Sequence, residues 1–142
     1  KMTENIKKLE GSRILSNIKN SYIISLDLRG KQYSSEEFSN KLENISISNS
    51  SITFIIGGSL GLSKNVIESS NELISFSKMT FPHQLIRVFL LEQLFRAFKI
   101  QNNEKYHLFK IFIIYYILIV EEILINYKKG KRFFIIGINK HE

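Results

Sequence analysis

Short apolar runs that alternate with longer amphipathic segments are the feature that most constrains how this chain can fold. Residues 22–28 and 52–56 are rich in Ile, Leu and Phe and have the length of buried strands. The segments between and after them carry apolar residues at helical spacing. Because strands that alternate with helices typically form one parallel sheet covered by the helices, the sequence predicts an α/β fold.

Local signals set the expected bounds of these elements. Ser34 and Ser35, followed by two glutamates, predict a helix start with hydroxyl caps and carboxylates in the first turn. That helix is expected to turn Phe38 and Leu42 inward. The other elements are predicted as a helix over 4–19, a turn over 29–31, a loop over 46–51, a helix from a Ser63 cap to about residue 71, a strand over 73–79 and a helix that Pro82 opens and that runs to Lys99.

The composition changes after residue 107. Residues 108–142 are dominated by Ile, Lys, Phe and Tyr, and two glutamates interrupt their longest apolar stretch. A membrane helix needs about 20 mostly apolar residues, so we expect this segment to pack on the domain or a partner rather than span a bilayer. Residues 132–139 have strand character and are predicted to add to a sheet edge. We therefore divide the chain into a core, 1–107, and an atypical tail, 108–142, and expect the core to fold without the tail.

Charge and cysteine content narrow the possible chemistry. The net charge of +7 suits a polyanionic partner but is also common in proteins that bind none. The chain has no cysteine, which excludes disulfides, thiolate nucleophiles and cysteine-based metal sites. Its three histidines lack metal-binding spacing, so no metal is expected. No apolar secretory signal opens the sequence, and a cytoplasmic location is predicted.

Three polar or glycine-containing blocks follow the predicted strands, namely 25–31 with 34–36, 54–62 and 75–84. The glycines at 57 and 58 stand where a strand ends, and they would let the backbone approach a ligand closely. Their spacing fits neither the dinucleotide fingerprint nor a P-loop. An ordinary strand-to-helix turn is the alternative explanation.

Taken in order, these blocks resemble SPOUT-class RNA methyltransferases of the ribosomal large-subunit methyltransferase H type, and the resemblance covers residues 4–107. Members of that family finish soon after a Tyr-His pair, which is found here as Tyr106 and His107. The strand and helix with which the family begins are not matched ahead of Lys1, and the chain continues past its usual end. Residues 133–137 resemble the family's opening strand, which leaves a circular permutation as an alternative.

The resemblance implies a parallel-sheet SPOUT fold with a C-terminal trefoil knot, incomplete at the N-terminus. It also implies a homodimer that binds S-adenosyl-L-methionine and methylates N3 of a pseudouridine in 23S ribosomal RNA. Carried over residue by residue, the expected cofactor contacts are Leu26, Gly57, Phe76, Ser77, Lys78, Met79, Thr80 and Phe81. Burial in the core is the alternative for the aromatic residues and Met79, which alternate as the inner face of a strand would.

The resemblance also suggests catalytic residues. His83 and Arg87 stand four residues apart and so share one helix face, where they would contact the RNA. A neutral imidazole can accept a proton, although a histidine at a helix start often only caps or packs. In that family the Tyr-His pair lies near the active site, and the resemblance implies the same for Tyr106 and His107.

Two other functions remain open from the sequence alone. One is an inactive fragment that retains the cofactor loops, and the other is a protein whose apolar tail attaches it to a partner or a membrane. Binding of S-adenosylmethionine separates the second reading from the others, and methylation of ribosomes separates enzyme from inactive fragment.

Overall fold

A computed structural model describes residues 1–18, 20–57 and 61–104, and the backbone of residues 132–137. Helices and strands alternate along most of this length, as the sequence predicts. Their bounds are α1 Met2–Asn17, β1 Tyr22–Lys31, α2 Ser35–Ser48, β2 Ser51–Ile56, α3 Lys64–Ser69, β3 Glu72–Ile74, α4 His83–Gln101 and β4 Arg132–Gly137.

The strands form one sheet in the order β3-β1-β2-β4, and every neighbouring pair is parallel. The first residues of β1 and β2 pair as Tyr22 with Ile52, and their last paired residues are Leu26 and Ile56. On the other side of β1, the short strand β3 pairs from Glu72 onward. The α/β class with a parallel sheet is therefore confirmed.

Both faces of the sheet are covered by helices. The strand β2 is buried along its whole length, and its residues alternate between the two faces. Ile52, Phe54 and Ile56 pack with α2 and α4 on one side, while Ile55 packs with α1 and α3 on the other. Such two-sided burial explains why β2 ends on three consecutive apolar residues, Phe54 to Ile56, and why its polar residues Ser51 and Thr53 are buried as well.

Helix α2 begins as predicted. The hydroxyl of Ser34 accepts a hydrogen bond from the backbone N–H of Glu37, and the Glu37 carboxylate accepts one from the backbone of Ser34. This capping box satisfies two N–H groups that the first turn would otherwise leave without partners. Phe38 and Leu42 are turned inward and fully packed, which confirms their predicted orientation.

Several predicted bounds are wrong. The strand expected over 73–79 ends at Ile74, and residues 75–82 form a loop instead. The turn expected over 29–31 is part of β1, and the loop expected from residue 46 begins only after α2 ends at Ser48. The first helix spans Met2–Asn17 rather than 4–19.

The helix starts also differ in detail. Pro82 is the residue before α4 rather than its first helical residue, and α4 extends to Gln101. Ser63 occupies the position before α3, but its hydroxyl donates to the side chain of Asn65 and makes no capping bond, and α3 ends at Ser69.

Strand β4 comes from the segment that the sequence set apart as a tail. It pairs with β2 in parallel from Ser51 with Arg132 to Ile56 with Gly137, which confirms the predicted addition to a sheet edge. The division into a core, 1–107, and a tail, 108–142, stays a prediction.

Candidate functional site

The candidate site lies where β1, β2 and β3 end. Leu26 pairs with Ile56 on one side and with Ile74 on the other, so the carboxyl ends of the three strands meet at one edge. Parallel α/β proteins bind their ligands in crevices at this edge, because the loops there diverge to either side of the sheet. The three sequence blocks noted above all lead into this region.

A cleft of about 650 Å³ opens at that edge. This volume is in the range of sites that hold a small organic ligand. Seven of the eight residues predicted to contact the cofactor line it, and these are Leu26, Gly57, Phe76, Ser77, Met79, Thr80 and Phe81. Residues far apart in the sequence are thus brought to one cavity. Their contact with a cofactor stays a prediction.

The loop 75–82 forms one wall and is held by its own serines. The hydroxyl of Ser75 donates to the backbone carbonyl of Ser77 (2.8 Å), and the Ser77 hydroxyl accepts from the backbone N–H of Met79 (3.0 Å). The backbone N–H of Ser75 is bonded to the carbonyl of Lys31 (3.0 Å). These bonds fix the loop against β1 and leave Met79 and Thr80 exposed.

Gly57 follows β2 and lies close to the chain where it returns at Gly61. A Cβ atom on Gly57 would stand 3.2 Å from both the backbone carbon of Gly61 and the Cγ of Leu62. Gly61 itself has a φ of +75°, a conformation that side chains disfavour. The two glycines therefore allow the chain at residues 57 and 61 to approach itself closely beside the cleft.

The other three described residues that were predicted to belong to the site differ in their position relative to the cleft. His83, the first residue of α4, lines the cleft. Arg87 lies one turn further on, is not among the lining residues and donates to the side chain of Gln84 (3.4 Å). Lys78 is exposed on the loop and its side chain does not line the cleft. Tyr106 and His107 lie outside the described residues.

One part of the wall is charged and was not predicted from the sequence. Asp27, Leu28 and Arg29 line the cleft, because β1 bulges there before it pairs with β3 again at Lys31. The guanidinium of Arg29 donates from Nε to Oδ1 of Asp27 (2.8 Å) and from Nη2 to Oδ2 (3.0 Å). The only signal in the sequence was the pairing of opposite charges two residues apart, which commonly occurs on solvated surfaces.

The charge state of this pair follows from its geometry. The hydrogen bond from the Arg29 side chain lowers the pKa of the Asp27 carboxyl, and it outweighs burial, which acts in the opposite direction. The same bond raises the pKa of Arg29. Asp27 is therefore a carboxylate at neutral pH.

A second cavity, of about 300 Å³, adjoins the first and shares the wall formed by residues 74–77 and Phe81. Phe81 packs edge-on against Phe89 of α4, with ring centroids 5.5 Å apart. Deeper in this cavity the Ser35 hydroxyl donates to Gln93 (2.8 Å). The polar groups here bond to one another and link α2 to α4.

Within the ranges described above, no group of His, Asp and Glu side chains has the arrangement of a metal site, and no helix is both long and apolar enough to cross a membrane. The tail residues in which the sequence left a membrane span open, 109–125, lie outside the described residues.

Fold and cleft together define a parallel α/β protein with a cleft at the carboxyl ends of its strands, where proteins of this class bind their ligands. Residues 1–107 match the family described as predicted SPOUT methyltransferase. The chain therefore belongs to the SPOUT methyltransferase family, as the resemblance implied.

Relatives whose names state a function are similar to this chain in sequence. The ribosomal RNA large subunit methyltransferase H of Clostridium acetobutylicum is 59% identical over 104 residues, which cover 72% of this chain and 65% of that protein. The proteins of the same name from Clostridium botulinum strains Eklund 17B and Alaska E43 are 58% and 59% identical over the same lengths. The chain thus spans slightly less than two thirds of these relatives.

Proposed function

We propose that this chain is a methyltransferase that uses S-adenosyl-L-methionine to methylate N3 of a pseudouridine in 23S ribosomal RNA. The observation that carries the proposal is the convergence of seven predicted cofactor contacts on one cleft at the strand ends. The names of the relatives support the choice of ribosomal RNA as the methyl acceptor.

The lining of the cleft fits S-adenosylmethionine. An adenine ring requires apolar faces and backbone N–H and C=O groups at its edge. Leu26, Ile56 and Phe76 supply apolar surface, and the loop 75–82 lies beside them with its residues 78–80 exposed. Gly57 and Gly61 also line the cleft, and they carry no side chain that could occupy the same space.

The chemistry demands little covalent help from the protein. When bound, S-adenosylmethionine supplies a methyl group activated by a positively charged sulfur, and the acceptor nitrogen must lose its proton. The protein's contribution is to align the two reactants and to exclude water. His83 at the wall of the cleft is our candidate for accepting the proton or contacting the RNA, with Arg87, Tyr106 and His107 as further candidates.

We further propose a homodimer with a trefoil knot, active in the cytoplasm. Helix α4 supports the dimer, because it buries Leu90, Leu94 and Phe98 in the core and still exposes Leu85 on another face. A symmetric partner is a common way to cover such a face. Sedimentation at micromolar concentration tests the dimer, and a strict monomer contradicts it.

Two measurements test the proposed activity. Isothermal titration of the folded chain with S-adenosylmethionine should show binding, and the absence of binding overturns the proposal. Ribosomes that lack the N3 methyl group should then acquire it from the labelled cofactor, as read by mass spectrometry of the digested RNA. Binding without methylation would instead support the inactive fragment that the sequence left open.

A further inference from the structure

Ionisable side chains are scarce around the large cleft and are unevenly placed. Of the described residues that line it, only Asp27, Arg29 and His83 carry an ionisable side chain. Asp27 and Arg29 stand together on the bulge of β1, whereas His83 belongs to α4. The cleft therefore has one place where a positive and a negative group are presented side by side.

The bulge that carries this pair is firmly anchored. Leu26 and Lys31 both pair with Ile74, so the residues between them loop out from the edge of the sheet and return to the same point. Gly30 lies so close to the backbone of Ile74 that an added Cβ would stand 2.5 Å from its carbonyl carbon. The backbone N–H of Arg29 also donates to Oδ1 of Asp27 (2.9 Å). The backbone that carries Asp27 and Arg29 is thus held in place without a ligand.

Both partners retain hydrogen-bonding capacity. A guanidinium has five N–H groups, and the bonds to Asp27 use one on Nε and one on Nη2. The edge formed by Nη1 and the second Nη2 hydrogen is left, and the Arg29 side chain is 69% exposed. Asp27 accepts two bonds at Oδ1 and one at Oδ2, which leaves a further acceptor position on Oδ2.

We propose that Asp27 and Arg29 bind the amino-acid end of S-adenosylmethionine, with Asp27 accepting from its ammonium group and the outer edge of Arg29 donating to its carboxylate. This assignment rests on the proposed function. The ligand combines an adenosine with a zwitterion, and the cleft combines apolar walls with one ion pair. Bound in this way, four groups of alternating charge lie in a ring, and Arg29 meets the carboxylate in the fork geometry that it prefers.

The test separates the two ends of the ligand. S-Adenosylhomocysteine carries the amino-acid end and an uncharged sulfur, whereas 5′-methylthioadenosine has the same adenosine and thioether without that end. Titration of the parent chain should show much tighter binding of S-adenosylhomocysteine. Arg29→Gln should weaken that binding about tenfold or more, the effect of losing a hydrogen bond between charged groups, and should leave methylthioadenosine binding within about twofold.

Two further variants serve as controls. Arg13→Gln makes the same change on an exposed position of α1 and should alter neither affinity. Arg29→Lys keeps the charge but loses the fork, so it should fall between the parent and Arg29→Gln. All three variants should still unfold in a single cooperative transition in urea, which confirms that the fold is intact.

Each other result overturns the assignment. Equal weakening of both ligands would show that Arg29 only shapes the wall, and unchanged affinities would show that it has no part in binding. If Arg29→Gln lowered only the affinity for ribosomal RNA, the side chain would be a phosphate contact instead. A parent chain that binds methylthioadenosine as tightly as S-adenosylhomocysteine would retain a nucleoside site but lose this assignment, whereas a parent that binds neither nucleoside would remove the proposed function as well.

Discussion

The Nζ atom of Lys41 lies 2.8 Å from Oε2 of Glu72, and this ion pair ties helix α2 to the edge strand β3. Glu72 also accepts a hydrogen bond from the hydroxyl of Tyr33, whose ring lies 5.3 Å from Lys41 Nζ and 4.9 Å from Lys31 Nζ. Because β3 has only three residues, this cluster adds side-chain bonds to the few backbone bonds that hold the strand against β1. The loop that forms the wall of the cleft starts directly after β3.

Replacing Glu72 with Gln should therefore lower the free energy of unfolding by about 1–2 kcal/mol, because glutamine keeps the shape but loses two charge-assisted bonds. Urea unfolding at neutral pH measures this change. Glu68→Gln is the matched control, since Glu68 and its partner Lys64 are largely exposed and 3.5 Å apart. The control should change stability by less than about 0.5 kcal/mol. Equal effects of the two variants would contradict a structural role for Glu72.

The same cluster predicts a loss of stability in alkali. The pKa of Tyr33 is raised first by burial and then by Glu72, and the pKa of Lys41 is raised mainly by its hydrogen bond to Glu72. Both groups hold their protons more tightly in the folded chain, so their contribution is present below about pH 10 and is lost as pH rises through the folded values. Urea unfolding between about pH 8 and 11 should show a steeper decline for the parent than for Glu72→Gln. Parallel curves would contradict this.

Gly57→Val should weaken binding of S-adenosylhomocysteine by about tenfold or more. Expressed as free energies, this loss of binding should exceed the loss in the free energy of unfolding. The reason differs from simple occupation of the ligand's space, because the first added carbon would meet Gly61 and Leu62 and displace the turn that lines the cleft. Titration and urea unfolding together measure the two effects, and Gly57→Ala should give a smaller change in the same direction. Unchanged affinity would leave Gly57 as a turn residue only.

Sequence patterns were sufficient for the parallel sheet and for most of the cleft. Local signals in the sequence mark the positions near Leu26 and Gly57, where the pairing of β1 with β2 ends, and the loop that begins at Ser75. Parallel topology then brings these positions together at one edge of the sheet. The bulge at Asp27 and Arg29 had no such signal, because it depends on Lys31 pairing with Ile74, far along the chain.

The wrong strand over 73–79 has a similar cause. Phe76, Met79 and Phe81 are apolar enough to suggest a buried strand, yet Phe76 and Phe81 line the cleft and Met79 is 72% exposed. Ser75 and Ser77 bond to the loop's own backbone, and such local bonds compete with the ladder of a sheet. Apolar residues that line a ligand site cannot be distinguished by pattern from those of a core.

Gly30→Ala should lower the free energy of unfolding by about 1–3 kcal/mol, because the new Cβ would meet backbone atoms of Ile74 that cannot turn aside. The exchange of the Ser75 amide, which bonds to the Lys31 carbonyl, should also become faster. Gly61→Ala is the control: among the described residues no atom lies within 4 Å of its added Cβ, so it should lose stability through its φ of +75° without loosening Ser75. If the Ser75 amide hydrogen exchanged as slowly in Gly30→Ala as in the parent, β1 and β3 would not depend on this close approach.

The last prediction concerns strand β4 and distinguishes between two roles for residues 108–142. Composition predicts a core that folds without residues 108–142, whereas the pairing of β4 with β2 predicts that the core depends on them. A chain that ends at residue 131 would leave the edge of the fully buried β2 without hydrogen-bond partners. We expect it to lose at least about 2 kcal/mol and to self-associate through that edge, as urea unfolding and sedimentation would show. A chain that ends at residue 137 keeps β4 and should behave as the parent does. If the two truncated chains unfold at the same urea concentration, β4 contributes nothing to the sheet and the reading from composition is correct.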